Sequence, residues 1–276
     1  MMKIIKRIGI LLGFLILCAL LALGYAFLIE PALTVTSIHS FGQDGSDAHL
    51  RVVQLTDIQV SESYSEDRLA KLAEKVNALS PDVIVFTGDL FDNYAQYHPT
   101  EAVTAALSAF RAQYGKYAVW GNRDYGGGAQ RIYEQVLFDA DFTLLENDSV
   151  SIPLSDGTLL IGGLDDALLG APDIPAVSAS MQQTADYRIL LLHEPDIADD
   201  LPSGTADLLL AGHSHGGQVR IPPFFDGIKN TLAGTYTRGF YEVNGMRLYV
   251  SSGLGTSHIP VRFLVPPEIA VFDISF

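Results

Sequence analysis

Apolar residues open the chain in one unbroken block and then settle into short, regularly spaced runs. Across residues 8–29 no side chain is charged, a stretch matching the roughly 20 residues that cross a bilayer as a helix. Lys3, Lys6 and Arg7 precede the block and Glu30 follows it. That asymmetry places the N-terminus in the cytoplasm and the rest of the chain outside it. The block is long for a signal sequence, and no small-x-small cleavage site precedes a polar start. Leu15, Ile16 and Leu17, ahead of Cys18, also lack the small residues of a lipoprotein cleavage site. The reading is an uncleaved single-pass membrane anchor over residues 1–31, followed by a domain over residues 32–276.

Beyond the anchor, residues 31–40 are rich in Thr, Val and Ile and predict an extended segment; residues 42–47 predict a turn and 49–56 a first core strand. Leu69, Leu72, Ala73, Val76 and Leu79 recur at helical spacing, so residues 67–79 predict a helix with one apolar face. Residues 82–87 are almost continuously apolar, as in a strand buried on both faces. A second helix follows at 100–113, a strand at 117–120 and a third helix at 129–140. From Phe142 the rhythm shortens: runs at 142–145, 150–153 and 158–162 are separated by Asn147-Asp148 and Asp156-Gly157, which predicts antiparallel pairing. A polar segment gives way to strands at 187–192 and 208–211, and the chain ends on strands at 247–252 and 269–274. Two sheets packed face to face, with helices outside both, account for this order.

Composition narrows the range of partners. The chain has 276 residues and a formal net charge of −15, which argues against nucleic acid as a standing partner because phosphate backbones require Lys/Arg neutralisation. Cys18 is the single cysteine, so neither an intramolecular disulfide nor a cysteine-based zinc site can form.

The chemistry lies where the strands stop. The run at 52–56 ends in Asp57-Ile58-Gln59, that at 83–87 in Gly88-Asp89-Leu90-Phe91-Asp92, and that at 117–120 in Gly121-Asn122-Arg123-Asp124. The run at 189–192 ends in His193-Glu194-Pro195, and that at 208–211 in Gly212-His213-Ser214-His215-Gly216-Gly217. His213 and His215 are two apart, so both imidazoles of an extended segment point to one side. Imidazole and carboxylate are the usual ligands of transition metals. Alone, each of these residues reads as a turn residue, a helix cap or a satisfied histidine. Five such strand ends in one chain read as a ligand-binding edge of an open α/β sheet. His39, His49 and His98 have no motif around them and read as surface residues. His258, in a Gly-rich loop, is left open as a residue of the site's mouth.

Taken in order, D-x-Q, GD-x-x-D, GN-R-D, H-E-P and GH-x-H-GG resemble the calcineurin-like metallophosphoesterases from about Val52 to the C-terminus. Gly216-Gly217-Gln218, Arg238-Gly239-Phe240-Tyr241, Leu248-Tyr249-Val250-Ser251 and Pro266-Pro267-Glu268-Ile269 are similar to the bacterial membrane-associated branch, which includes UDP-2,3-diacylglucosamine pyrophosphatases. The resemblance implies an α/β fold of four layers, αββα. It also implies two divalent metal ions bridged by Asp89. One would take Asp57, Gln59, Asp89 and His215; the other would take Asp89, Asn122, His193 and His213. A hydroxide between them would attack phosphorus, with Asn122, Arg123 and Asp124 as catalytic residues and Asp92 as an orienting one. The substrate would be a phosphorylated small molecule or a lipid-linked phosphate.

Two residues depart from that pattern. Position 59 is usually histidine; an amide oxygen there is neutral and harder, favouring manganese or magnesium over zinc-like ions. Manganese is the first expectation, with iron, zinc and magnesium as alternatives. Position 123 is also usually histidine, taken to protonate the leaving group, whereas a guanidinium keeps its protons and binds phosphate instead. The competing reading is therefore a metal- and phosphate-binding surface protein weakened in turnover by Gln59 and Arg123. Retention of Asp57, Asp89, Asn122, His193, His213 and His215 together argues against such drift. A hydrolase with a serine nucleophile is set aside.

Overall fold

The computed structural model describes residues 2–42 and 49–276, so most of the turn expected at 42–47 lies outside the described residues. Helix α1 (Met2–Gly24) carries an exposed apolar surface along its whole length and continues through short turns to Ala32. The helical stretch from Met2 to Ala32 is long and apolar enough to cross a membrane. After it come β1 (Val35–Gly42), β2 (His49–Leu55), α2 (Glu66–Asn77), β3 (Val83–Phe86), α3 (Thr100–Ser108), β4 (Lys116–Ala118), α4 (Asn122–Gly126), α5 (Tyr133–Asp139) and β5 (Phe142–Leu144). The second half contains β6 (Asp148–Leu154), β7 (Gly157–Gly163), α6 (Ile174–Ser180), β8 (Tyr187–Leu191), β9 (Leu208–Ala211), β10 (Gly239–Val243), β11 (Met246–Val250) and β12 (Glu268–Ser275).

Two mixed sheets form, in the orders β1-β12-β2-β3-β4-β5 and β10-β11-β9-β8-β7-β6. Their central strands are buried on both faces, which explains the near-continuous apolar runs. Side chains alternate across a strand: Val52, Val83 and Val85 meet Ile189, Leu208 and Leu210 between the sheets. Val53, Leu55, Ile84 and Phe86 face the opposite way, onto α2, α3 and α5. Leu190, Leu209 and Ala211 face the α6 side. Two sheets thus lie between two helical layers, as the resemblance implies.

Several local expectations are corrected. The run at 142–145 does not join the antiparallel set; β5 pairs parallel with β4 in the first sheet, its Phe142 buried against the helical layer. The true hairpin is β6–β7. The helix expected to reach residue 113 stops at Ser108, where the Asn77 amide takes over: it donates to the Ala109 carbonyl and accepts from the Arg111 N–H. The helix expected at 129–140 is broken at Ile132, whose φ of −129° and ψ of −14° are not helical. Helix α6, unforeseen in the polar segment, starts on Asp173, whose carboxylate accepts from the Ala176 N–H. His39, expected at the surface, is half-buried among Phe240, Tyr249 and Phe272.

What matters for chemistry is direction. β2, β3 and β4 run parallel, as do β8 and β9, so each group delivers its carboxyl ends to one edge of its sheet. The backbone of His213 donates to the Asp57 carboxylate, and Gly212 lies against Thr56. The two edges therefore meet.

Candidate metal centre

At that meeting line the backbone is held in an unusual state. Asp57, Gln59, Asp89, His213 and His215 all have positive φ, between 50° and 64°. Such conformations are uncommon outside glycine and cost about 1–3 kcal/mol each. Five in one place persist because neighbouring groups fix them. The Asp57 N–H donates to the Gly88 carbonyl and the Gln59 N–H to that of Asp89. Gly255 and Leu254 donate to the Asp57 carbonyl. Close approach explains two glycines: a Cβ at Gly212 would collide with Thr56 and the Asp57 carboxylate, and one at Gly121 with Asp89.

The side chains converge in two groups that share one carboxylate. Asp89, His193 and His213 bring their ligand atoms within 4.8 Å of one another, and so do Asp57, Asp89 and His215. His193 Nε2 lies 3.3 Å from Asp89 Oδ1 and 3.3 Å from Asn122 Oδ1. His215 Nε2 lies 3.4 Å from Asp57 Oδ1. Hydrogen bonds fix which nitrogen faces inward: His193 Nδ1 donates to the Thr87 carbonyl at 2.7 Å and His213 Nε2 to that of Thr231 at 2.9 Å. That leaves Nε2 of His193 and Nδ1 of His213 as lone-pair donors, the arrangement that orients metal-ligating imidazoles. Gln59 packs against the same point, its amide 2.7 Å from Asp89 Oδ2.

The donor set fits divalent cations. Asp57 Oδ1 and Gln59 Oε1 are buried without a hydrogen-bond partner, a costly condition that a cation would relieve. Burial raises the Asp57 carboxyl to about 6, and the neighbouring Asp89 charge adds to the rise. Burial lowers His213 to about 4 and takes His215 well below the usual imidazole range, so both imidazoles are neutral. Burial alone would also lower His193, but the Asp89 carboxylate overrides it and raises the imidazole well above its ordinary value.

Asp124 is placed differently from a group that meets substrate. It is fully buried, and its carboxylate accepts from the backbone N–H groups of Asp89, Leu90, Phe91 and Gly121. It therefore shapes the Asp89 loop. Arg123 stands at the rim: its guanidinium lies 3.2 Å from Asp92 Oδ1, donates to Ser257 Oγ at 2.7 Å and lies 3.2 Å from His258 Nε2. Asp89, Asn122, Arg123, His213, His215 and His258 line one cavity of about 190 Å3, so His258 does belong to the mouth.

The sequence contains the G-x-S-x-G pattern of a serine hydrolase in Gly212-His213-Ser214-His215-Gly216, so motif alone does not exclude a serine nucleophile. Geometry supplies the reason: Ser214 is buried and its hydroxyl donates to the Thr237 carbonyl. Other contributors leave no motif at all. Thr231 acts through its carbonyl. Arg262, fully buried, donates to the carbonyls of Ser252, Gly253, Gly255 and Val265 and so fixes the loop beside Asp57.

Residues 50–251 match the calcineurin-like phosphoesterase family. The chain is 34% identical over 259 residues to the uncharacterized metallophosphoesterase YkuE of Bacillus subtilis, covering 91% of this chain and 89% of that protein. It is 32% identical over 228 residues to the uncharacterized metallophosphoesterase Cj0846 of Campylobacter jejuni, covering 82% of this chain but 59% of that longer protein. It is 28% identical over 301 residues to the UDP-2,3-diacylglucosamine pyrophosphatase LpxG of Chlamydia trachomatis, covering 88% and 90% of the two chains.

Proposed function

The chain belongs to the calcineurin-like phosphoesterase family, and from that premise we propose a membrane-anchored hydrolase of phosphoric ester or pyrophosphate bonds that works with two divalent metal ions. The observation that carries this reading is the pair of ligand groups sharing Asp89. One ion would be held by Asp57, Gln59, Asp89 and His215, the other by Asp89, Asn122, His193 and His213. When bound, the ions supply Lewis acidity toward phosphoryl oxygens and acidify water. Manganese suits a set rich in oxygen donors and neutral imidazoles.

The chain's own residues do the rest. Asp124 holds the Asp89 loop in its left-handed turn, and Thr87 and Thr231 fix the imidazole tautomers. Arg123 presents fixed positive charge at the cavity rim, where a phosphate can be bound bidentately. The likeness to LpxG favours a lipid-linked pyrophosphate as substrate, with other phosphorylated small molecules as the alternative class.

In this reading residues 1–31 are the anchor and 32–276 the catalytic domain. Lys3, Lys6 and Arg7 keep the N-terminus in the cytoplasm and put the site outside it. A C-terminal reporter that is active only when exported should be active; activity of a cytoplasm-only reporter there would reverse the orientation.

The function itself is tested by stripping the full chain of metal and restoring manganese while following a chromogenic aryl phosphate monoester and diester. Turnover should return with metal. Its metal requirement should also rise as pH falls. Asp57, with its carboxyl raised to about 6, must be ionised to ligate, and His193, raised well above its usual value, must lose its proton; acid opposes both. Metal-independent turnover would sink the reading, and so would tight metal binding with no hydrolysis of either ester, which would favour the weakened binding protein.

A further inference from the structure

The most exposed aromatic ring outside α1 is Phe224, at 88% exposure. It sits in a tight turn in which Ile221 and Phe225 exchange backbone hydrogen bonds of 2.7 and 2.9 Å, so three exposed apolar side chains, Ile221, Phe224 and Phe225, lie within five residues. A soluble surface seldom shows such a cluster without a use.

The position of the turn indicates what covers it. Arg220, its first flank, donates to the Phe263 carbonyl at 2.9 Å, and Phe263 in turn donates to the Gln218 carbonyl at 3.0 Å. The Phe263 ring packs edge-on against Tyr25, 6.3 Å away, at the end of the apolar helix. Neighbouring residues clamp the same helix end: the Arg262 N–H donates to the Ala26 carbonyl, and buried Glu30 accepts from the Leu264 and Val265 N–H groups at 2.9 and 2.5 Å. Phe224 is four residues from Arg220, at most about 14 Å of chain. The turn is thus tied to the level at which the helix leaves its apolar stretch. Leu264 and Ile259, both exposed, lie on the same connecting segment. Asp226, on the other flank of the turn, lies 3.4 Å from Arg220, so the two flanking charges offset each other.

We propose that residues 221–225, with Ile259 and Leu264, form a second membrane contact that dips into the lipid interface beside the anchor. This rests on the reading of residues 1–31 as a membrane anchor. An apolar cleft lined by Ile228, Ile259 and Val261 shares His215, Asn230, Ser257 and His258 with the metal cavity. Seated this way, the cavity opens onto the headgroup layer, from which a phosphorylated amphiphile can be drawn with its tail still in lipid.

The test uses the full chain reconstituted into phosphatidylethanolamine–phosphatidylglycerol vesicles whose acyl chains are brominated near the headgroup. Trp120 is the only tryptophan and is buried against Tyr125 and Tyr133, giving a constant background. Phe224→Trp should add emission that is lost in the brominated vesicles and retained in unbrominated ones, the behaviour of a ring lying about 5–10 Å into the interface. Phe138→Trp, at an exposed position on α5, should add emission that is not quenched. Flotation of the wild type with the vesicles tests the anchor separately: a chain that does not float overturns the anchor reading. A chain that floats while Trp at 224 is quenched no more than Trp at 138 overturns the membrane contact, and means the turn faces water or another protein.

Discussion

Asp89→Asn is expected to lower kcat/KM by several orders of magnitude at any metal concentration, with the domain still folded. Both ligand groups pass through this one carboxylate, and a neutral amide cannot hold two cations in close proximity. Stability should respond far less. The substituted amide keeps a carbonyl oxygen to accept from the Arg123 N–H, the bond Asp89 now makes at 2.8 Å. The Asp124 carboxylate continues to hold the loop backbone. Thermal unfolding of the metal-free proteins should therefore be similar, while added manganese should raise Tm for the wild type more than for the variant, because only binding to the folded state stabilises it. Near-normal turnover by Asp89→Asn at saturating metal would refute a shared role for this residue.

Arg123 carries the second large expectation. A guanidinium does not give up its proton, so position 123 cannot protonate a departing alkoxide. General acid assistance is typically worth ~10²–10⁴-fold, and esters with poor alkoxide leaving groups should suffer most from its lack. Substrates that expel an aryl oxide or a nucleotide phosphate need it least. Arg123 should act instead through charge at the rim, where Asp92, Ser257 and His258 hold it. Arg123→Ala should then slow every substrate by a similar factor. Arg123→His should selectively rescue alkyl esters and introduce a pH dependence near a histidine pKa. The measurement is kcat/KM across esters of graded leaving-group pKa for the wild type and both variants. An identical, shallow dependence in wild type and Arg123→His would remove position 123 from leaving-group chemistry.

The strand ends were legible because two constraints coincide there. Burial on both faces writes Val52–Val53 and Ile189–Leu192 as unbroken apolar runs, and each run must stop where a polar side chain is displayed. Asp57, Asp89, His193, His213 and His215 stand out as polar residues at those stops, and the structure brings them together. What escaped was held by backbone. Thr231 and Thr87 orient imidazoles through carbonyls that every residue possesses. Arg262 looks like any surface arginine in the sequence, yet it is fully buried and binds four carbonyl groups. The early stop of α3 depends on Asn77, more than thirty residues away. Burial of His39 depends on Phe240 and Tyr249 in the other sheet, a distance no local pattern records. The serine-hydrolase pattern at 212–216 makes the converse point: the letters were present and the geometry denied them.

The central claim is that one site in this chain holds two metal ions through Asp89. Metal content of the full chain, purified in detergent, loaded with manganese and freed of excess, tests it most directly. Two equivalents per chain are predicted for the wild type, one for each ligand group, with fewer in Asp89→Asn. A wild-type protein that hydrolyses phosphate esters at full rate while holding one equivalent or none would contradict the account.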